Sequence, residues 1–162
     1  MSHHANRHDI EVLNGLIGAV LDSAAGYREA ADETADPGHR ELFGRRALER
    51  RQLADELAAA VRQMGGQPHA DGSLLAKAQR AFADVRHALL RDELTVVGAV
   101  ETAEDHVKAR FGKALADEDL SATTRETVRR AWDRIGQDHD EMRDLKHSLE
   151  GQRDAASRLY PR

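Results

Sequence analysis

The chain has 162 residues, 33% of them charged, and a net charge of -5 with its histidines neutral. That length fits one domain with a proper core, and the negative balance argues against a nucleic-acid partner. Cysteine is absent, which excludes disulfides and thiolate metal sites, so any metal must be held by carboxylate, imidazole or amide groups.

No stretch approaches the roughly 18 apolar residues of a membrane helix. The opening "MSHHANRHD" lacks the apolar segment of a signal peptide, so no membrane is expected and the cytoplasm is the default location. Aromatics make up 4% and there are 3 prolines. Alanine, leucine, glutamate and arginine dominate, which reads as all-α.

Residues 1–8 are expected to form a flexible N-terminus. A first helix is predicted from Asp9 to Thr34, with Leu13, Leu16, Ile17, Val20, Ala24, Tyr27 and Ala31 on one stripe. "ADPGH" then breaks the pattern, with Asp36 as cap and Pro37 at the first helical position. A second helix runs from Pro37 to Met64, with Phe43, Ala47, Leu53, Ala54, Leu57 and Val61 inward. "GGQPHADGS" is a loop that ends on the plausible cap Ser73. A short third helix spans Leu74 to Leu90 with a narrow apolar seam. The fourth runs from Asp92 to Ala116. After a turn capped by Ser121 or Thr123, the fifth runs to Leu149, with Val128, Trp132, Ile135 and Met142 inward. Residues 151–162 are expected to be a flexible C-terminal tail.

The four long helices form two tightly joined pairs, and the connection between the pairs carries the short helix. Tight loops make antiparallel neighbours, and a long connector returns the chain along the bundle. The expected fold over residues 9–150 is therefore an all-α, four-helix bundle with one long crossover connection carrying a short extra helix. That topology is shared with ferritin-like folds.

Several ionisable residues fall on the apolar stripes. With about 100° per residue, Glu104 lies in line with Val97, Val100, Phe111 and Leu115, and Glu101 sits one turn earlier. His139 lies among Trp132, Ile135 and Met142. Arg50 is seven residues from both Phe43 and Leu57 and so points inward, with Glu49 at the margin and Gln52 further round. Counted from the turns, Glu49, Gln52, Glu101, Glu104 and His139 all fall in the middle third of the bundle, and Glu101 and His139 differ by about 3 Å in height. Buried carboxylates need compensation. A divalent cation, an ion pair from Arg50, or protonation would each supply it.

The segments "GYREAA", "ELFGRRALERRQLADEL", "GGQP", "ETAED" and "HDEMRDL" resemble an uncharacterised bacterial family of ferritin-like four-helix bundles, distantly similar to rubrerythrin. The likeness covers about Asp9 to Leu149. The di-iron sites of that superfamily use inward glutamates and Glu-x-x-His pairs. On this resemblance "ERRQ" supplies Glu49 and Gln52, with glutamine in place of histidine. "ETAE" supplies Glu101 and Glu104, and "GQDH" supplies His139 with Gly136 where a glutamate belongs. Val20 takes the glutamate position of the first helix. With these replacements the resemblance implies an incomplete carboxylate/histidine metal site rather than a full di-iron oxidase or peroxidase. Iron, manganese or zinc would be held by Glu49, Glu101, Glu104 and His139, with Gln52 outside them, in a role tied to iron or oxidative stress. The other reading is a metal-free structural or protein-interaction bundle whose ancestral site has become a buried ion-pair network around Arg50.

Two peripheral features carry weaker signals. Gly15, Gly18, Ala19, Asp22, Ala25 and Gly26 make the back of the first helix smooth. That face suits a homo-oligomer contact or the chain's own crossover helix. His3, His4 and His8 could catch metal, but a loose terminus is the plainer reading of them.

Overall fold

The computed structural model describes residues 3–69 and 93–160. Over these the chain forms four helices: α1 His3–Glu33, α2 Pro37–Gln63, α3 Glu93–Leu115 and α4 Ala122–Leu159. The expected short helix Leu74–Leu90 and its cap Ser73 lie outside the described residues. So does any packing of that helix on the glycine-rich face of α1.

The local stops and starts follow the chemistry of the turns. Asp36 caps α2, its Oδ1 accepting from the His39 amide at 3.0 Å, and Pro37 follows it. Ser121 caps α4 by accepting from the Thr124 amide at 3.3 Å. α2 closes on Gly65, whose φ of +80° is costly for any residue with a Cβ. Gly66 follows with its amide bonded to Val61 O at 3.0 Å. A Cβ on Gly66 would meet the Ile10 side chain at 2.8 Å, so any larger residue there would require Ile10 to move.

The described parts of both ends, residues 3–8 and 151–159, are helical. α1 begins at His3, and Asp9, 1% exposed, accepts from the Ser121 amide at 3.2 Å and from Thr124 Oγ1 at 2.9 Å. Those bonds tie the start of α1 to the cap of α4. α4 runs ten residues beyond Leu149, through a stretch with two Arg and two Ala. It stops before Pro161, a residue that disfavours helical backbone at the position preceding it.

α1 packs most closely on α2 and then on α3, and α3 packs on α4. α2 and α4 meet only lightly, and α2 and α3 face each other across the bundle's diagonal. The predicted stripes are the core: Leu13, Val20, Phe43, Val61, Val97, Phe111, Val128 and Ile135 are fully buried. Each such side chain contributes about 1.5–3 kcal/mol of burial.

That core is not continuous. One apolar cluster gathers Leu13, Leu16, Val20, Leu57, Phe111 and Ile135 at the end with the α3–α4 turn. A second gathers Tyr27, Phe43, Ala47, Val97, Val100 and Met142 at the other end. Arg50, Glu104, Asp138 and His139 lie between the two in sequence on every helix that carries them.

Candidate functional site at mid-bundle

Glu104 is placed in the interior by its own helix. It occupies the buried stripe of α3 between Val100 and Val107 and is 1% exposed. Its Oε1 accepts from Ser23 Oγ of α1 at 3.0 Å, and its Oε2 accepts from Arg50 Nη2 of α2 at 2.5 Å. Both carboxylate oxygens are therefore engaged.

Arg50 is placed the same way, between Ala47 and Leu53 on α2, and is also 1% exposed. Its Nη2 donates to Asp138 Oδ2 of α4 at 2.9 Å as well as to Glu104. Its guanidinium carbon stands 5.7 Å from the centre of the Tyr27 ring, within range for a cation–π contact. One turn earlier, the buried Arg46 donates to Asp138 Oδ1 and Glu141 Oε2, and to Glu49 Oε2 at 2.9 Å. Two buried guanidinium groups thus face two sheltered carboxylates, with Glu49 and Glu141 at the rim. A cleft of about 400 Å³ between α2 and α4, lined by Arg46, Arg50, Arg134 and Asp138, opens onto this network.

The electrostatics follow from burial and pairing. Burial pushes Glu104 above the ordinary carboxylate value, while Arg50 and Ser23 pull it back. Burial likewise raises Asp138, opposed by Arg50 and Arg46. Burial holds the Tyr27 phenol well above its usual value. Among the described residues, the Tyr27 hydroxyl and the Arg50 Nε and Nη1 have no hydrogen-bond partner.

The five residues singled out from sequence are not brought together. Glu104 is central. His139 is buried next to Asp138 on α4, but its Nε2 is bonded to Asp105 on the rim of α3. Glu101 forms an ion pair with Lys146 at 3.1 Å. Glu49 is half-exposed and turned to Arg46, and Gln52 is exposed. Among the described residues no three His, Asp or Glu side chains at mid-bundle present ligand atoms within 4.8 Å of one another. Arg50 already supplies a positive charge against Glu104, and a second cation beside it would be repelled at low dielectric. As arranged here, these residues do not fit a bound metal.

Sequence reasoning missed Asp138, Arg46 and Ser23. Arg46 had a signal, since it sits one turn before Arg50 on the same face. Asp138 and Ser23 had none beyond adjacency to a stripe.

The family model described as "Domain of unknown function (DUF2383)" matches residues 8–117. No curated protein matches the sequence. A solved structure of a Mycobacterium smegmatis Dps1 mutant superposes with a TM-score of 0.74 at 13% identity. That match covers 90% of this chain and 99% of the other. The fold is accordingly a ferritin-like four-helix bundle, and at that identity the likeness speaks for the fold alone. Among the described residues, no helix is long and apolar enough to cross a membrane.

Proposed function

The chain belongs to the DUF2383 family, and we propose that it is a structural or protein-interaction bundle whose mid-bundle site is a metal-free ion network. One observation carries this reading. Arg50 is wholly buried and bridges Glu104 and Asp138, where a ferritin-like site would need an uncommitted carboxylate pair. Its guanidinium is a tethered cation, always charged, with donors suited to carboxylates. It compensates the buried acids without any ion from solution. The second reading, iron, manganese or zinc held by Glu49, Glu101, Glu104 and His139 in iron or oxidative-stress handling, rests on resemblance.

Metal titration separates the two. Protein stripped with chelator is titrated with Fe(II), Zn(II) and Mn(II), beside its Glu104→Gln and His139→Ala variants. The network reading expects identical metal uptake in all three. One equivalent of metal in the parent protein that either substitution abolishes would overturn it. Elemental analysis of the protein as isolated, scored for iron in the same variants, gives an independent check.

A further inference from the structure

A set of metal-ligating side chains converges at one end of the bundle, where the first turns of α1 meet the turn between α3 and α4. His8 Nε2 lies 2.7 Å from Asp117 Oδ2. One ligand atom from each of His8, Asp117 and Asp119 lies within 4.8 Å of the other two. Among the described residues no other trio of His, Asp or Glu meets that condition. The residues come from elements more than a hundred positions apart, so helical spacing alone does not produce the cluster.

The surroundings hold this geometry. Asp9, next to His8, is buried and bonded to Ser121 and Thr124, which fixes the rotation of α1 against the turn. Asp117 Oδ1 accepts from the Asp119 amide at 2.9 Å, leaving Oδ2 directed at the imidazole. The nearby Arg125 acts on Asp117 by charge, but its hydrogen bonds go to the backbone. Arg125 donates to the carbonyl oxygens of Leu115 and Asp117, each at 2.6 Å. It braces the turn's backbone and makes no hydrogen bond to its carboxylates. Asp117 and Asp119 thus present two negative charges beside one imidazole, at a position open to solvent.

We propose that His8, Asp117 and Asp119 form a surface site for a divalent transition-metal cation, with zinc(II) as the best match, that staples α1 to the α3–α4 turn. Imidazole among carboxylates selects zinc-like ions over calcium or magnesium, which prefer oxygen alone. Three nitrogen and oxygen ligands with an open side also match a zinc ion that keeps one water. The site is separate from the mid-bundle network and does not depend on the reading given for it.

Isothermal titration of the chelator-stripped full chain with zinc chloride tests the proposal. The expected result is one equivalent whose affinity falls about tenfold or more in His8→Gln and in Asp117→Asn, as for loss of a metal-site partner. Asp119→Asn is exposed and should leave the fold intact, and it should weaken binding too. Zinc should raise the melting temperature of the parent protein and not that of Asp119→Asn. Equal affinity in the parent and all three variants would overturn the proposal and mark an adventitious ion on other surface histidines. Loss of binding in Glu104→Gln with no loss in Asp119→Asn would also overturn it, and would revive the mid-bundle metal reading.

Discussion

Arg50 on α2 and Glu104 on α3 join across the bundle's diagonal through a 2.5 Å charge-assisted hydrogen bond, with each side chain 1% exposed. Both side chains are almost wholly withdrawn from water. Breaking a buried pair from one side leaves an uncompensated charge and costs about 3–5 kcal/mol. Arg50→Met should lower stability by about that much in urea denaturation of the metal-free protein. The double variant Arg50→Met/Glu104→Met should recover a large part of the loss, because paired apolar replacements remove both charges together. An unchanged midpoint for Arg50→Met would argue against the network.

Acid titration should separate the core carboxylates from those at the surface. Glu104 holds its proton to a higher pH when folded than the ordinary 4.5. The folded chain therefore binds more protons just above pH 4.5, and stability falls as pH rises through that window. Asp138 acts in the same direction from its ordinary 3.8 upward. The stability of the parent protein relative to Glu104→Gln should decline as pH rises from 4.5. Parallel melting curves for the two would contradict this.

Glu93 has the opposite sign. Its burial works to raise its pKa, but hydrogen bonds from Thr34, His39 and the Ala35 amide outweigh this and lower it. Its contribution is complete above 4.5 and is lost as pH falls through the lowered folded value. Those bonds fasten the start of α3 to the α1–α2 turn, with Thr34 Oγ1 at 2.6 Å and the Ala35 amide at 2.9 Å. Glu93→Gln should be less stable than the parent at neutral pH, and the gap should close on acidification. A gap that stays constant down to strong acid would refute the assignment.

The Asp9 clamp predicts a cost at the far end. Asp9→Ala leaves the buried Thr124 hydroxyl and the Ser121 amide without this acceptor, which costs about 1–3 kcal/mol. Asp9→Asn keeps one oxygen acceptor and should cost less. Chemical denaturation of the two variants gives the comparison, and equal losses would mean that the acceptor is not what matters.

Much of the bundle was legible because helical periodicity reports burial directly. Glu104 and Arg50 are inward because their neighbours three and four residues away are apolar. Asp36 and Ser121 announced their helices because a short oxygen-bearing side chain before a periodic run is a cap. What periodicity does not report is which inward charge meets which. His139 shares its layer with Glu104 yet turns to Asp105, and Glu101 reaches Lys146 rather than His139. Those choices depend on the rotation of each helix by tens of degrees and on the rotamers of long side chains. Asp138 lies just off the apolar stripe, yet it receives both guanidinium groups because arginine is long enough to reach sideways. His8 was read as part of a loose end for a similar reason. Its partner, Asp117, is 109 residues away and enters only through tertiary packing.

The reach of α4 past the rest of the bundle has a consequence for handling the protein. Its 38 residues extend about 57 Å, and every side chain from Gly151 to Tyr160 stands exposed. Among the described residues nothing buries this helical spur, and a helix end so exposed frays readily. Brief trypsin treatment should clip first at Arg153 and Arg158, trimming the spur while the remaining domain survives as a resistant fragment.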